Sequence, residues 1–429
     1  MTRERPLWRL LAAMLALSLV SFAAACSSDD DAGDEGSDTT SEDAAADAAD
    51  VLGEPNEATG EPVKVGIITE GGSEAIGSQS ALTEQGAEIA AQYVNEYMGG
   101  IAGRPIELVF CGNQATPAGA QECGNQMVED GVVAVTIPFT GFGEATAPVL
   151  TGAGISYVTL SGNSAAELTA PGAFALTGGY PGSLGAFAQH ASDEGFEKFA
   201  MIVIDVPSAT QAAEQLGGLV FGKAGVEFEV ITAAPGTPDI TPQVQAAVDA
   251  GADAIGVTGD VTFCTSFLQA YQTLGLDIPK YVIAPCVDPT VIESLGDVLA
   301  GSFLATVSSG EGADVELYGA MVETYGDGDI DPDPTVSAGV AAGTSAVMNF
   351  ARAMEGLTGD VTKETVLAQM KAAADVPLWL ADGQTFTCDG SAISIMPNVC
   401  SATFFVGTLT PEGQVEDAVP VDAASLFAM

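Results

Sequence analysis

From residue 63 onward, short runs of β-branched and other apolar residues alternate with longer, Ala-rich amphipathic stretches. The runs predict strands over 63–69, 106–111, 132–137, 156–160, 199–204, 227–232, 254–258, 281–284 and 303–307. Between them, apolar positions recur at helical spacing over 81–98, 118–130, 181–194, 209–224, 242–250 and 262–274. Strand, helix, strand at this spacing predicts parallel sheets with helices on both faces. The run Ala200-Met-Ile-Val-Ile204 is apolar on both faces, as a central parallel strand requires. Turn formers interrupt the rhythm at 175–182, after four β-α units, and it then starts again. After residue 307 the pattern predicts helices alone, over 314–325, 335–357 and 363–374. From Thr385, two short β runs flank a loop between Cys388 and Cys400. The simplest architecture is α/β, with two doubly wound parallel-sheet lobes and late helices returning to the first.

The start of the chain follows a different rule. Arg3, Arg5 and Arg9 precede an apolar run over 10–25, and a spanning helix needs about 20 apolar residues. A basic start, a short apolar core and small residues before the cut mark a secretory signal over 1–25. Ala23-Ala24-Ala25-Cys26 resembles a bacterial lipobox, in which Cys26 becomes the lipid-bearing first residue. An ordinary cleavage site with an incidental cysteine is the alternative. Residues 27–61 hold 13 Asp or Glu and no Lys or Arg. Such a segment cannot bury enough apolar surface to offset chain entropy, so 26–61 is expected to be a lipid anchor and a disordered acidic tether. No later apolar run reaches membrane length. The expected location is the extracytoplasmic face of a bacterial membrane, reached through lipid.

Charge narrows the partners. Loss of three Arg and one Glu with residues 1–25 moves the net charge from −47 to −49. Nucleic acid needs a basic face and is excluded as a partner. The roughly 370 residues after the tether suit two domains.

Setting Cys26 aside leaves six cysteines in an exported chain, which reads as three disulfides. Fifteen pairings are possible, and nearest neighbours are the simplest set: Cys111 with Cys123, Cys264 with Cys286, Cys388 with Cys400. No spacing resembles C-x-x-C and there is one histidine, so neither a metal nor another cofactor is expected.

Catalytic readings are weak. His190 lies mid-helix and is expected to be a solvated or half-buried surface residue. Ser183 sits in Pro-Gly-Ser-Leu-Gly, which lacks the first glycine of a nucleophile elbow. Gly141-Phe-Gly143 follows a strand but lacks the third glycine of a dinucleotide fingerprint. The acidic run 327–333 has no glycine at the sixth position of a calcium loop and Ala338 at the twelfth. The expectation is a protein that is not an enzyme.

In doubly wound sheets ligands bind beyond the carboxyl ends of the strands. The loops there, 70–77, 138–143, 160–163, 205–210, 259–262 and 285–288, are rich in Gly, Ser, Thr and Asn. That composition suits hydrogen bonding to a small solute.

Three stretches carry a family resemblance. Val65-Gly-Ile-Ile-Thr-Glu-Gly-Gly-Ser73 is similar to an opening strand and ligand loop. Gly99-Gly100-Ile-Ala-Gly103-Arg104-Pro105 resembles the glycine turn into a second strand. Gly154-Ile-Ser-Tyr-Val-Thr-Leu-Ser161-Gly162-Asn163 matches a strand whose end touches the ligand's carboxylate. From about Val63 to the C-terminus the chain resembles the extracytoplasmic solute-binding proteins of the branched-chain amino-acid type, which feed ABC importers.

The resemblance implies the type I periplasmic-binding-protein fold, two lobes joined by three crossovers, here near 176–179, 305–308 and 380–383. The first lobe would comprise 62–177 and 308–380, the second 178–307 and 381–429. A solute would be trapped between them by hinge closure and passed to permease and ATPase subunits, with the binding protein a monomer. Ser73, Glu74, Thr140, Gly141, Phe142, Ser161, Gly162, Asn163, Tyr180 and Asp260 are the expected ligand residues. Thr140, Gly141, Ser161 and Asn163 would take a carboxylate, and Asp260 an amine or hydroxyl unless it caps the following helix. Glu74 is a reserve acid on the first-lobe rim. The second-lobe aromatics usual in the family are missing from 206–210 and 259–260, and the acid that usually grips the ammonium falls at or beside Cys286. An aromatic or apolar carboxylate against Phe142 and Tyr180 is therefore the alternative ligand. A lipoprotein presenting a solute to a membrane sensor is the alternative role.

Overall fold

The computed structural model describes residues 50–72 and 77–428. Cys26, Ser73 and Glu74 lie outside the described residues.

The first sheet is built from β1 (Val63–Thr69), β2 (Ile106–Gly112), β3 (Ala134–Ile137), β4 (Ser156–Ser161) and β5 (Ala173–Thr177), all parallel. Its order is β2-β1-β3-β4-β5. The second sheet takes β6 (Lys198–Ile204), β7 (Glu227–Ala233), β8 (Ala254–Thr258), β9 (Lys280–Val282) and β10 (Phe303–Thr306). A two-stranded hairpin of β11 (Val376–Pro377) and β12 (Thr385–Phe386) precedes β13 (Thr403–Leu409) and β14 (Val415–Asp422). The second sheet runs β14-β13-β10-β9-β8-β6-β7, with β13 and β14 antiparallel at one edge. Strands β3, β5, β8 and β9 are buried along their whole length, as strands of doubly covered parallel sheets are.

Strands β5, β11 and β14 depart from the pattern's prediction, β11 being only two residues long. β5 lies where the turn formers over 175–182 predict a break. Its sequence, Ala-Phe-Ala-Leu-Thr, is short, Ala-rich and followed at once by Gly178 and Gly179, so the glycines masked it. β14 carries three acids and a proline in eight residues, which hides it, and it is mostly exposed at the sheet edge.

The acidic tether expected through residue 61 is docked from Asp50 onward. Leu52 is buried in the first-lobe core, and Asn56 N, Ala58 N and Gly60 N donate to Glu96 O, Asn95 O and Gly103 O. Arg104 Nε donates to Glu61 O at 2.7 Å. The glycine turn serves this docking: Gly100 adopts φ +64°, and a Cβ there would sit 2.1 Å from Arg104 O.

Helices Ala313–Tyr325 and Ala338–Ala353 return to the first lobe, sharing one core with helix Gly77–Glu96. Phe386, Cys388 and Cys400 belong to that same core, and Cys400 N donates to Ala175 O at 2.8 Å. The chain therefore returns to the second sheet only just before Thr403, later than the crossover expected near 380–383. The structure pairs Cys111 with Cys123, Cys264 with Cys286 and Cys388 with Cys400, with Cα–Cα distances of 5.6, 5.1 and 4.4 Å. No helix among the described residues is long and apolar enough to cross a membrane.

Candidate functional site

The strand order β2-β1-β3-β4-β5 recurs as β7-β6-β8-β9-β10. In each, the chain winds outward to opposite sides of its first strand. The carboxyl ends of β1 and β3, and of β6 and β8, thus open a crevice at a topological switch point, where ligands of doubly wound sheets bind.

At the first switch point stand Glu70, after β1, and Thr140, Gly141 and Phe142, after β3. Glu70 Oε1 accepts from Gly141 N at 2.9 Å and from Thr140 Oγ1 at 3.3 Å. Thr140 Oγ1 in turn accepts from Phe142 N at 3.1 Å, which fixes the turn. Two donors expected to hold a ligand's carboxylate hold the protein's own. The neighbouring Phe139 is 60% exposed, while Phe142 is partly buried.

Ser161, Gly162 and Asn163 form the loop after β4. Asn163 uses both ends of its side-chain amide: Nδ2 donates to Ser161 O, and Oδ1 accepts from Tyr180 N, both at 3.0 Å. Ser161 is half-buried and its hydroxyl makes no hydrogen bond to a described residue. Gly162 is buried against Ala175, whose Cβ would stand 2.7 Å from a Cβ at 162. Beneath this loop the carboxylate of Glu167 is fully buried and accepts from Tyr157 Oη, Asn163 N, Ser164 N and Ser164 Oγ. Glu167 also closes a capping box with Ser164. Gly143 packs directly on it, since a Cβ there would lie 2.1 Å from Glu167 Cδ. One buried acid thus braces both the 140–143 loop and the 161–164 loop.

In the second lobe Tyr180 opens helix Gly179–Asp193, and its hydroxyl lies 3.0 Å from Thr258 Oγ1 at the end of β8. Burial pushes the Tyr180 hydroxyl up to about 12, so it is a neutral donor or acceptor at physiological pH. Asp260, exposed, caps helix Val261–Thr273 by accepting from Phe263 N at 2.8 Å. No hydrogen bond joins Asp260 to a first-lobe loop among the described residues. Asp205 directly follows β6 and is exposed, and its N–H donates to Ala233 O at the end of β7 at 2.8 Å. Cys286 is buried in its disulfide, and the nearby Asp288 caps helix Pro289–Leu299.

His190 departs from its expected place on the surface. It is only 8% exposed, with Nδ1 2.7 Å from Tyr281 Oη and its ring against Phe303. Helix Gly179–Asp193 turns this face toward the second sheet, and burial lowers the imidazole's pKa. Among the described residues no group of three or more His, Cys, Asp or Glu is placed to hold a metal ion.

The expected ligand residues omit Glu70 and Asp205, although both open loops expected to face a ligand, and omit Thr258 and Glu167. Only Glu167 had a sharp local signal, the Ser164-x-x-Glu167 spacing of a capping box.

The architecture agrees with that of other proteins. The family model for periplasmic binding proteins matches residues 62–399. The chain belongs to that family. No curated protein matches the sequence of this binding protein. Among solved structures it is similar to the leucine binding protein LivK from Thermotoga maritima, at TM-score 0.66 and 16% identity over 84% of this chain and 99% of that one. It is similar to LivJ from Streptococcus pneumoniae, in complex with isoleucine, at TM-score 0.66 and 18% identity, covering 84% and 99%. A solute binding protein of an ABC transporter from R. palustris, in complex with benzoate, aligns at TM-score 0.62 and 18% identity, covering 85% and 97%. At these identities the likeness is one of fold, shared by the periplasmic binding protein described here.

Proposed function

We propose that this protein is the lipid-anchored solute-binding component of an ABC importer on the extracytoplasmic face of a bacterial membrane. It captures a small polar solute between its lobes, closes on a hinge and delivers the solute to permease and ATPase subunits. The supporting observation is the pair of switch points, each carrying polar side chains at the carboxyl ends of parallel strands. Binding energy spent on the closed form shifts the population toward it. Cys26 anchors the body, and the acidic segment up to Asp50 spaces it from the surface. Stable anchoring takes more than one acyl chain, which a diacylglyceryl cysteine supplies.

A thermal-shift screen of amino acids, amides, amines and aromatic acids, followed by small-angle scattering with each hit, tests the binding reading. A ligand should raise the melting temperature and lower the radius of gyration. A screen in which no solute does either sinks this reading. For the anchor, Cys26→Ala should leave the membrane fraction or remain unprocessed. Fractionation like wild type at the same mature mass rules the anchor out.

A further inference from the structure

The first switch point is bridged from within. Glu70 leaves the end of β1 and places Oε1 on the two donors after β3, Gly141 N and Thr140 Oγ1. Its second oxygen, Oε2, takes no hydrogen bond from a described residue, and the side chain is half-buried. We propose that Glu70 is a specificity residue that makes this cleft select a cationic solute bearing N–H donors and reject one offering a carboxylate to the first lobe. This rests on the binding-protein reading above.

A ligand carboxylate entering this end would find its donors taken and a like charge in their place. It would also find no compensating cation. The crevice loops 70–77, 138–143, 160–163, 205–210, 259–262 and 285–288 contain no Lys or Arg. The remaining cations of the folded body are engaged elsewhere or lie at helix ends. Lys198 pairs with Glu227 and Glu229, Arg352 with Asp314, and Lys64, Lys280, Lys363 and Arg104 donate to backbone carbonyls. Lys64, Lys198 and Lys280 stand in the first two residues of β1, β6 and β9, at the strand ends opposite the crevice. Lys223 and Lys371 sit in the last turns of helices Gly218–Ala224 and Lys363–Ala372.

For an ammonium or guanidinium the same arrangement is favourable. Glu70 is held by two hydrogen bonds that fix one oxygen and leave the other for a charge-assisted bond. On the second lobe the loop after β6 opens with a further exposed acid, Asp205. A chain of net charge −47 draws cations toward it and repels anions. Attraction toward cations and repulsion of carboxylates act together, as specificity generally requires.

The test uses the purified full chain, 1,4-diaminobutane and agmatine as cationic probes, and L-leucine and benzoate as carboxylate probes. Titration calorimetry in about 0.15 M salt screens diffuse attraction to the acidic surface. Wild type should bind at least one cation saturably, and Glu70→Gln should bind it about 30-fold more weakly. Glu70→Gln keeps an oxygen for Gly141 N, so its unliganded melting temperature should stay near wild type and separates lost recognition from lost folding. Leucine and benzoate should bind neither protein. Binding of leucine or benzoate to wild type overturns the inference and leaves the binding-protein reading standing. Cation binding that survives Glu70→Gln unchanged overturns it, as does the absence of binding by both cations. Failure of the whole solute screen is the separate outcome that removes the binding-protein reading itself.

Discussion

Glu167 Oε1 accepts a 2.6 Å hydrogen bond from the Tyr157 hydroxyl, and both residues are fully buried. A buried carboxylate is costly unless its oxygens are satisfied. Here Oε2 also takes Asn163 N at 3.0 Å and Ser164 N and Oγ at 2.9 Å. Burial, and then the adjoining Glu167, hold the Tyr157 hydroxyl well above its ordinary pKa, so it stays a donor.

Glu167→Ala should therefore destabilise by about 3–5 kcal/mol, the cost of stripping partners from a buried polar cluster. Gly143→Ala should act in the same direction, because its methyl displaces the carboxylate. Urea denaturation measures both. A loss below about 1 kcal/mol for each would show that the acid does not brace the two loops.

His190 makes stability depend on pH. Its folded pKa is depressed by burial, with Glu194 and Asp193 opposing, while the unfolded value is about 6.5. The unfolded chain therefore binds the extra proton as pH falls below about 6.5, and stability declines there. The chain has one histidine, the side chain whose ordinary pKa falls between pH 5 and 8, so the decline between pH 7 and 5 is assignable to it. His190→Gln should flatten that part of the stability profile. An unchanged slope would place the coupling elsewhere.

The sheets were largely legible because strands β6 and β8 are near-continuous apolar runs of the kind a parallel, doubly covered strand uses. The site was less so. Thr140, Gly141 and Asn163 could be placed on loops by counting along the chain, but their hydrogen-bond partners could not. The Glu70–Gly141 bond joins residues 71 positions apart, and Asn163 reaches Tyr180 across a crossover. His190 shows the same limit: its helix was evident, yet the aromatic surface that buries it comes from β9 and β10. Local pattern sets elements, whereas tertiary pairing decides which polar atoms remain for a ligand.

The Cys264–Cys286 bridge ties helix Val261–Thr273 to the turn Ala284–Val287 beside the second-lobe crevice, across a separation of 22 residues. Closing a loop of this size stabilises by roughly 2–4 kcal/mol in the chain-entropy account. Replacing both cysteines by alanine should lower the stability by that amount. Non-reducing peptide mapping should recover the three neighbour pairs, and crossed pairs or free thiols would contradict the structure.

Asn163 and Tyr180 join the lobes by one capping bond. Helix Gly179–Asp193 begins after Gly178, which offers no side chain, so its first N–H groups lack a local cap. Asn163 Oδ1, from the first lobe, accepts from Tyr180 N at 3.0 Å and supplies that cap across the crossover. Gly179 makes the approach possible: it adopts φ +54°, and a Cβ there would lie 2.0 Å from Gly162 O. Asn163→Ala should then cost about 1–2 kcal/mol, as loss of a capping oxygen does, while Asn163→Asp should retain most of the stability. A ligand-contact role makes a different forecast. If Asn163 chiefly donated to a bound carboxylate, Asn163→Asp would keep the fold but abolish binding through like-charge repulsion. Measuring melting temperature and ligand affinity on both variants separates the roles. Equal destabilisation by Ala and Asp would dismiss the cap, because only Asp preserves the acceptor.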